Sequence, residues 1–67
     1  MPIIQVNLVE GRILEQKEKL IRKMTDVVSE VLSCPTSTIR IMINEMKSEH
    51  LGIDGESMRI RRLKNNS

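Results

Sequence analysis

The sequence predicts an α/β (α+β) fold, a βαβ unit in which one long helix covers a small sheet. Apolar and polar residues alternate near the amino terminus and again around residue 40, which is the period of strands, and helical spacing separates these two segments. The apolar residues include nine Ile and five Val but no Phe, Tyr or Trp, and β-branched residues favour pleated surfaces. The 67 residues are predicted to form one domain, 1–67.

The first two elements follow from a change of period. Ile4, Val6 and Leu8 alternate with polar residues and predict a half-buried strand that ends at a glycine. From Leu14 to Leu32 the apolar residues recur every three or four positions, which predicts an amphipathic helix of about five turns. Pro35 disfavours helical geometry just before it and therefore ends this helix.

A second strand is predicted from Thr38 to Met46, where Ile39, Ile41 and Ile43 occupy alternate positions. A helix of five turns is long enough for a right-handed crossover between parallel strands. The segment 52–55 predicts a turn, Ser57 to Leu63 a short edge strand that completes a carboxyl-terminal hairpin, and residues 64–67 a frayed tail.

Composition excludes several classes of function. The net charge of +2 and the lack of aromatic side chains argue against nucleic-acid binding. The sequence has no 18-residue apolar run and no signal-peptide pattern, so a soluble cytoplasmic protein without membrane association is expected. Cys34, the single cysteine, allows no intrachain disulfide, and no zinc-type spacing is present. Since so small a domain is marginal alone, self-association is expected.

Pro2 is the first candidate for chemistry. If Met1 is removed, the chain begins with a secondary amine, and an α-amino group titrates near pH ~7.7–8.0. Such an amine can serve as a base or nucleophile at neutral pH. His50, the single histidine, is the other candidate, but it has no partner at a triad or metal spacing and is interpreted as a loop residue.

Several runs, in order along the chain, resemble the 4-oxalocrotonate tautomerase family. These are Pro2-Ile3-Ile4-Gln5-Val6, Leu8-Val9-Glu10-Gly11-Arg12, Glu15-Gln16-Lys17, Leu20-Ile21-Arg22, Ile39-Arg40, Asn44-Glu45-Met46 and Gly52-Ile53-Asp54-Gly55-Glu56. The resemblance covers Pro2 to about Arg62. It implies a βαβ subunit that dimerises and assembles as a trimer of dimers, a hexamer, with no metal or organic cofactor.

The resemblance also implies roles for individual residues. Pro2 matches the catalytic base, and Arg12 matches the arginine that binds the distal carboxylate of the substrate. Arg40 matches a catalytic arginine, supplied by a neighbouring subunit, that engages the 2-oxo end. Leu51, Leu8 and Val9 match positions that line the substrate. The expected substrate is a small carboxylate, a 2-hydroxydienoate such as the 2-hydroxymuconate formed in the catabolism of aromatic hydrocarbons.

Three residues depart from the pattern of the family. Leu51 stands where an aromatic wall is usual, and Asp54 stands where glycine is commoner. Ile13 occupies the position of a Ser or Thr helix cap, whose loss costs about 1 kcal/mol. The first two departures bear on substrate identity and the third on stability.

Two alternatives differ in chemistry or in class. Relatives with the same proline hydrate or dehalogenate small unsaturated acids, which requires a carboxylate that activates water, and Glu45 and Asp54 are the candidates. A ribbon-helix-helix DNA-binding dimer is also small with an amino-terminal strand. It requires a second helix, whereas residues 39–43 alternate as in a strand. Cys34 is interpreted as a packing residue, and the basic tail Arg59, Arg61, Arg62 and Lys64 as a solvated surface.

Overall fold

The structure, a computed structural model, describes residues 1–65. Strand β1 (Ile3–Val9) leads into helix α1 (Leu14–Leu32), and strand β2 (Arg40–Met46) follows a short 3-10 turn, Thr36–Thr38. After a second 3-10 turn, Ser48–His50, the chain forms strands β3 (Gly52–Ile53) and β4 (Glu56–Ser57) and helix α2 (Met58–Asn65).

The two long strands are parallel neighbours, in register from Ile3 opposite Arg40 to Val9 opposite Met46. The predicted βαβ unit is therefore confirmed, and the predicted helix matches α1 at both ends. A strand stands where the ribbon-helix-helix alternative required a second helix, so that alternative is wrong.

Alternation divides the sheet into two faces. On one face the apolar side chains are half-buried, and Ile39, at the entrance to β2, is only 7% exposed. These side chains are Ile4, Val6, Leu8, Ile41 and Ile43. The opposite face is open: Ile3 is 63% exposed and Met42 55% exposed. One helix covers one face of a two-stranded sheet, and the other face has no cover from residues 1–65.

The chain is extended for its length. Its radius of gyration is 15.4 Å, whereas a compact domain of this size has a radius of about 11 Å. Apolar side chains on α1 are also open, with Leu14 67% and Val31 73% exposed. Within residues 1–65, neither helix is both long and apolar enough to span a bilayer.

The carboxyl-terminal region corrects one prediction. Strands β3 and β4 form the predicted hairpin, joined at Asp54 and Gly55, whose φ angles of 52° and 83° suit a two-residue turn. The predicted edge strand from Ser57 to Leu63 is wrong, because helix α2 begins at Met58. The Ser57 hydroxyl accepts the Ile60 backbone N–H at 3.3 Å, which caps the first turn of this helix. The helix reaches Asn65, and residues 66 and 67 of the predicted tail lie outside the described residues.

Candidate active site

Pro2 and Arg40 lie side by side where the two parallel strands begin. The backbone N–H of Arg40 donates to the Pro2 carbonyl at 3.0 Å, one step before the register pair Ile3 and Arg40. Because parallel strands start at the same edge of a sheet, the amino terminus is brought next to this arginine. The structure therefore places the backbones of two predicted site residues side by side in one chain, while the Arg40 guanidinium contacts the turn before β2.

The Arg40 guanidinium bonds to the turn that precedes β2. Its Nη1 donates to the Ser37 carbonyl at 2.8 Å and to the Ile39 carbonyl at 3.3 Å. A planar guanidinium carries five N–H donors in a fixed fork, so it can hold these carbonyls and also bind a carboxylate or enolate oxygen. These two bonds tie the guanidinium to the backbone of the segment that precedes β2.

A separate cleft of about 220 Å³ lies near the opposite end of β1. Its lining consists of Leu8, Arg12, Gln16, Lys17 and Leu20. The leucines supply an apolar surface, and the arginine supplies a guanidinium suited to a carboxylate. Two predicted substrate-binding residues, Leu8 and Arg12, therefore share one cleft.

The loop that carries Arg12 is held by two hydrogen bonds at Glu10, the residue before Gly11. The Glu10 backbone N–H donates to the Met46 carbonyl at 2.8 Å, and the Glu10 carbonyl accepts Arg62 Nη1 at 3.2 Å. Gly11 itself has φ +127°, a conformation that side chains disfavour. Arg62, predicted to be a solvated tail residue, thus contacts the loop that presents Arg12.

The start of α1 confirms the predicted loss of a side-chain cap. Ile13 has no acceptor in its side chain, so it cannot bind a free backbone N–H of the first turn. The Gln16 side chain supplies one of the two hydrogen bonds of a capping box, because its Oε1 accepts the Ile13 N–H at 3.3 Å. Gln16 therefore both lines the cleft and steadies the helix start.

Lys17 and Glu45 form an ion pair beside this cleft. Lys17 Nζ lies 2.5 Å from Glu45 Oε1, and the two side chains are 23% and 36% exposed. Glu45 lies opposite Leu8 in the parallel register. Sequence reasoning named Glu45 only as a candidate water-activating carboxylate, and it singled out neither its pairing with Lys17 nor Gln16 as part of a site. The signal in the sequence was the charged residue at position 45, which follows Ile41 and Ile43 on the same face of the predicted strand.

The remaining predicted residues lie beyond the ends of the long strands. Val9 is the last residue of β1, opposite Met46. Leu51 is half-buried, and its carbonyl accepts the Met58 N–H at 2.7 Å, which joins the segment after β2 to α2. Asp54 lies in the hairpin turn.

Two other candidates make local contacts. The His50 N–H donates to the Lys47 carbonyl at 2.8 Å, and the half-buried Cys34 accepts the Ser29 hydroxyl on its carbonyl at 2.6 Å. In the described part of the chain, no three His, Cys, Asp or Glu side chains lie close enough together to share a metal ion.

One carboxyl group has a shifted pKa. A hydrogen bond from Lys64, at 2.8 Å, and the positive charge of that ammonium lower the pKa of Glu56, with a smaller contribution from Arg61. This pair joins α2 to the hairpin, and neither residue lines the Arg12 cleft. The pair therefore helps to anchor α2 to the hairpin.

The predicted site residues fall into two groups that one chain keeps apart. Pro2 and Arg40 lie at the start of β1 and β2, and Leu8 and Arg12 lie at or beyond the far end of β1. Six residue steps at about 3.3 Å each separate Pro2 from Leu8 by about 20 Å. A site that contains both groups must therefore take them from different chains.

Comparison with known proteins identifies the family. Residues 2–61 match the family described as tautomerase enzyme. The chain is 47% identical over 57 residues to the 2-hydroxymuconate tautomerase of Stutzerimonas stutzeri, a match that covers 85% of this chain and 90% of that protein. The chain belongs to the tautomerase family and is an enzyme of the 4-oxalocrotonate tautomerase type, as the sequence resemblance predicted.

Solved structures agree with this assignment. A structure from a study of 4-oxalocrotonate tautomerase isozymes of Methylibium petroleiphilum superposes with a TM-score of 0.90 at 38% identity, covering 94% of this chain and 98% of that chain. A structure from a study of a heterohexamer 4-oxalocrotonate tautomerase of Chloroflexus aurantiacus J-10-fl superposes with a TM-score of 0.85 at 29% identity, covering 88% of this chain and 95% of that chain.

Proposed function

We propose that this tautomerase converts 2-hydroxydienoates, 2-hydroxymuconate above all, into their conjugated 2-oxo isomers. The observation that carries the proposal is the 47% identity to a 2-hydroxymuconate tautomerase along 85% of the chain. The two groups of site residues supply what this reaction needs: an amine at one edge of the sheet and a cleft for a carboxylate near the other.

Pro2, freed by removal of Met1, is the general base. Its amine takes the proton of the 2-hydroxyl group, the oxygen electrons form the C2 carbonyl, and the conjugated double bonds shift along the chain. The proton then passes to a carbon of the dienolate, which returns the amine to its starting state. One group performs both transfers, so it works best with a pKa near the operating pH.

The arginines bind the two ends of the substrate. Arg12 pairs with the distal carboxylate, and Arg40 meets the 2-oxo end, where negative charge develops on the dienolate oxygen. Both positive charges also disfavour the prolyl ammonium and so favour the free amine. Leu8, Val9 and Leu51 contribute the apolar walls.

A homo-oligomer completes the site, and we propose a hexamer built as a trimer of dimers. A six-carbon dicarboxylate is far shorter than the ~20 Å between Pro2 and Leu8 of one chain. Three further observations support assembly: the open sheet face, the exposed apolar side chains of α1 and the extended shape. The Chloroflexus relative is described as a heterohexamer.

The hydration or dehalogenation alternative gains no support from the carboxylates proposed for it. Glu45 is held by Lys17, and Asp54 lies in the hairpin turn beyond the strands. Water activation needs a carboxylate free to accept a proton near the substrate. Tautomerisation, which uses the proline amine alone as its base, remains the function proposed.

The decisive experiment combines intact-mass spectrometry with an ultraviolet assay of 2-hydroxymuconate ketonisation. Protein without Met1 should be active, and a variant with one added residue before Pro2 should be inactive, because its proline nitrogen is an amide. Pro2→Ala, which leaves a primary amine, should keep part of the activity. Full turnover by protein whose mass shows uniform retention of Met1 would refute the proposal.

Sedimentation tests the assembly. At micromolar concentration the protein should sediment at about six times the chain mass of 7.7 kDa. A stably folded monomer would contradict both the oligomer and a site shared between chains.

A further inference from the structure

Glu45 lies at a position where the strand pattern calls for an apolar residue. Positions 41, 43 and 45 of β2 share the face covered by α1, and the first two are half-buried isoleucines. Glu45, at the end of this row, is more exposed, and its carboxylate is paired with an ammonium of α1. Polar residues that break the local pattern in this way often mark functional sites.

The partner, Lys17, belongs to the cleft that also holds Arg12. Its side chain lines the cleft while its ammonium lies 2.5 Å from Glu45 Oε1. The pair is formed across α1 and β2, with Leu8, another lining residue, opposite Glu45 in the register. The ammonium of Lys17, the second cation of this cleft, is therefore paired with Glu45.

We propose that Glu45 is a positioning residue that holds the Lys17 ammonium out of the carboxylate subsite, so that Arg12 alone binds the distal carboxylate of the substrate. The inference rests on the proposed function. With the pair intact, the cleft offers one uncompensated positive charge to one carboxylate. Without the carboxylate of Glu45, the Lys17 ammonium is free to join Arg12, and the cleft binds the carboxylate of the unreacted substrate more tightly.

The two single substitutions should act in opposite directions. Glu45→Gln frees Lys17 and should lower KM for a dicarboxylate by about two- to fivefold, the range of a solvent-exposed charge pair, while kcat does not rise. Lys17→Gln leaves the carboxylate of Glu45 to compete for Arg12 and should raise KM by a similar factor. The exchanged pair, Lys17→Glu with Glu45→Lys, should restore KM toward the wild-type value.

A second ion pair of the chain supplies the matched control. Lys64 and Glu56 are 2.8 Å apart and join α2 to the hairpin. Glu56→Gln changes the charge of the protein as Glu45→Gln does, yet it should leave KM for the dicarboxylate unchanged. Circular dichroism at equal protein concentration confirms that each variant is folded before KM is compared.

Calorimetric titration with cis,cis-muconate, a dicarboxylate without the reacting hydroxyl, separates this inference from the proposed function. Opposite shifts of its Kd in the two single variants support the inference even if the wild type does not ketonise 2-hydroxymuconate. Wild-type turnover with both variants weakened alike would overturn the inference and leave the function standing. Failure of the wild type to bind muconate would overturn the inference outright.

Discussion

Gly11→Ala should destabilise the protein through the backbone rather than through a clash. Gly11 has φ +127°, and a Cβ built there would lie 4.0 Å from Arg62 Nη1, an ordinary contact distance. An L-residue held in such a conformation costs about 1–3 kcal/mol. At about 4–8 °C per kcal/mol for a domain of this size, Tm should fall by at least about 4 °C.

Gly52→Ala is the matched control. Gly52 does not have a positive φ, and its added Cβ would lie 3.9 Å from the Glu56 carbonyl oxygen, again an ordinary contact. Its Tm should change little, because alanine fits an unstrained site and restricts the unfolded chain. Thermal unfolding is followed by circular dichroism at one protein concentration, since the Tm of an oligomer depends on concentration.

Gly11→Ala should also weaken substrate binding, because Gly11 directly precedes Arg12 and the loop is held at Glu10 by Met46 and Arg62. Relief of the strained φ would move the guanidinium of Arg12, so KM for 2-hydroxymuconate should rise in Gly11→Ala and stay constant in Gly52→Ala. Equal Tm values for the two variants would refute the backbone argument. A lowered Tm with an unchanged KM would separate the stability of this loop from the placement of Arg12.

Three further outcomes are expected. Arg12→Ala should chiefly raise KM for dicarboxylates and Arg40→Ala should chiefly lower kcat, because only Arg40 is proposed to meet charge that appears in the transition state. If both variants changed KM alone, the role proposed for Arg40 would be contradicted. Leu51→Phe should raise kcat/KM toward 2-hydroxymuconate by about fivefold, because the ring adds about 1 kcal/mol of apolar contact, whereas Leu51→Met, which adds no ring, should not raise it. Equal kcat/KM values for the two variants would show that the pocket is already closed. Because the pKa of Glu56 is lowered, its bond to Lys64 stabilises the fold above the ordinary pKa of a glutamate and is lost as the pH falls through the lowered value, so hydrogen exchange of the α2 amides should become faster at acidic pH. Lys64→Gln should raise the pKa of Glu56 measured by NMR, and an unchanged pKa would contradict this cause.

The long elements could be predicted from the sequence because each is governed by local periodicity. Alternation over seven-residue strands and three-to-four spacing over five helical turns repeat often enough to be recognised without tertiary contacts. The same holds for the hairpin, since Asp54 and Gly55 adopt positive φ angles that their residue types tolerate. Pro2, Arg12 and Arg40 were proposed as site residues from their positions in the motifs of a known family.

Helix α2 was mispredicted because its segment is short and its pattern ambiguous. Met58 and Ile60 are two positions apart, which reads as strand alternation, and eight residues are too few for a helical period to stand out. Ser57 was the better signal, since its hydroxyl accepts the Ile60 N–H and favours a helix start over a continued strand.

By itself, the sequence determined the two long strands and the long helix, because these depend on local preference, and it supplied the residues proposed for the chemistry. Only the tertiary structure decided how those residues are distributed. Parallel pairing brings the backbones of Pro2 and Arg40 together, and the length of β1 keeps Leu8, which lines the same cleft as Arg12, about 20 Å from the proline of its own chain. The pairing of Glu45 with Lys17 likewise joins residues 28 positions apart. A contact of that kind depends on the packing of α1 against β2, which no local pattern encodes.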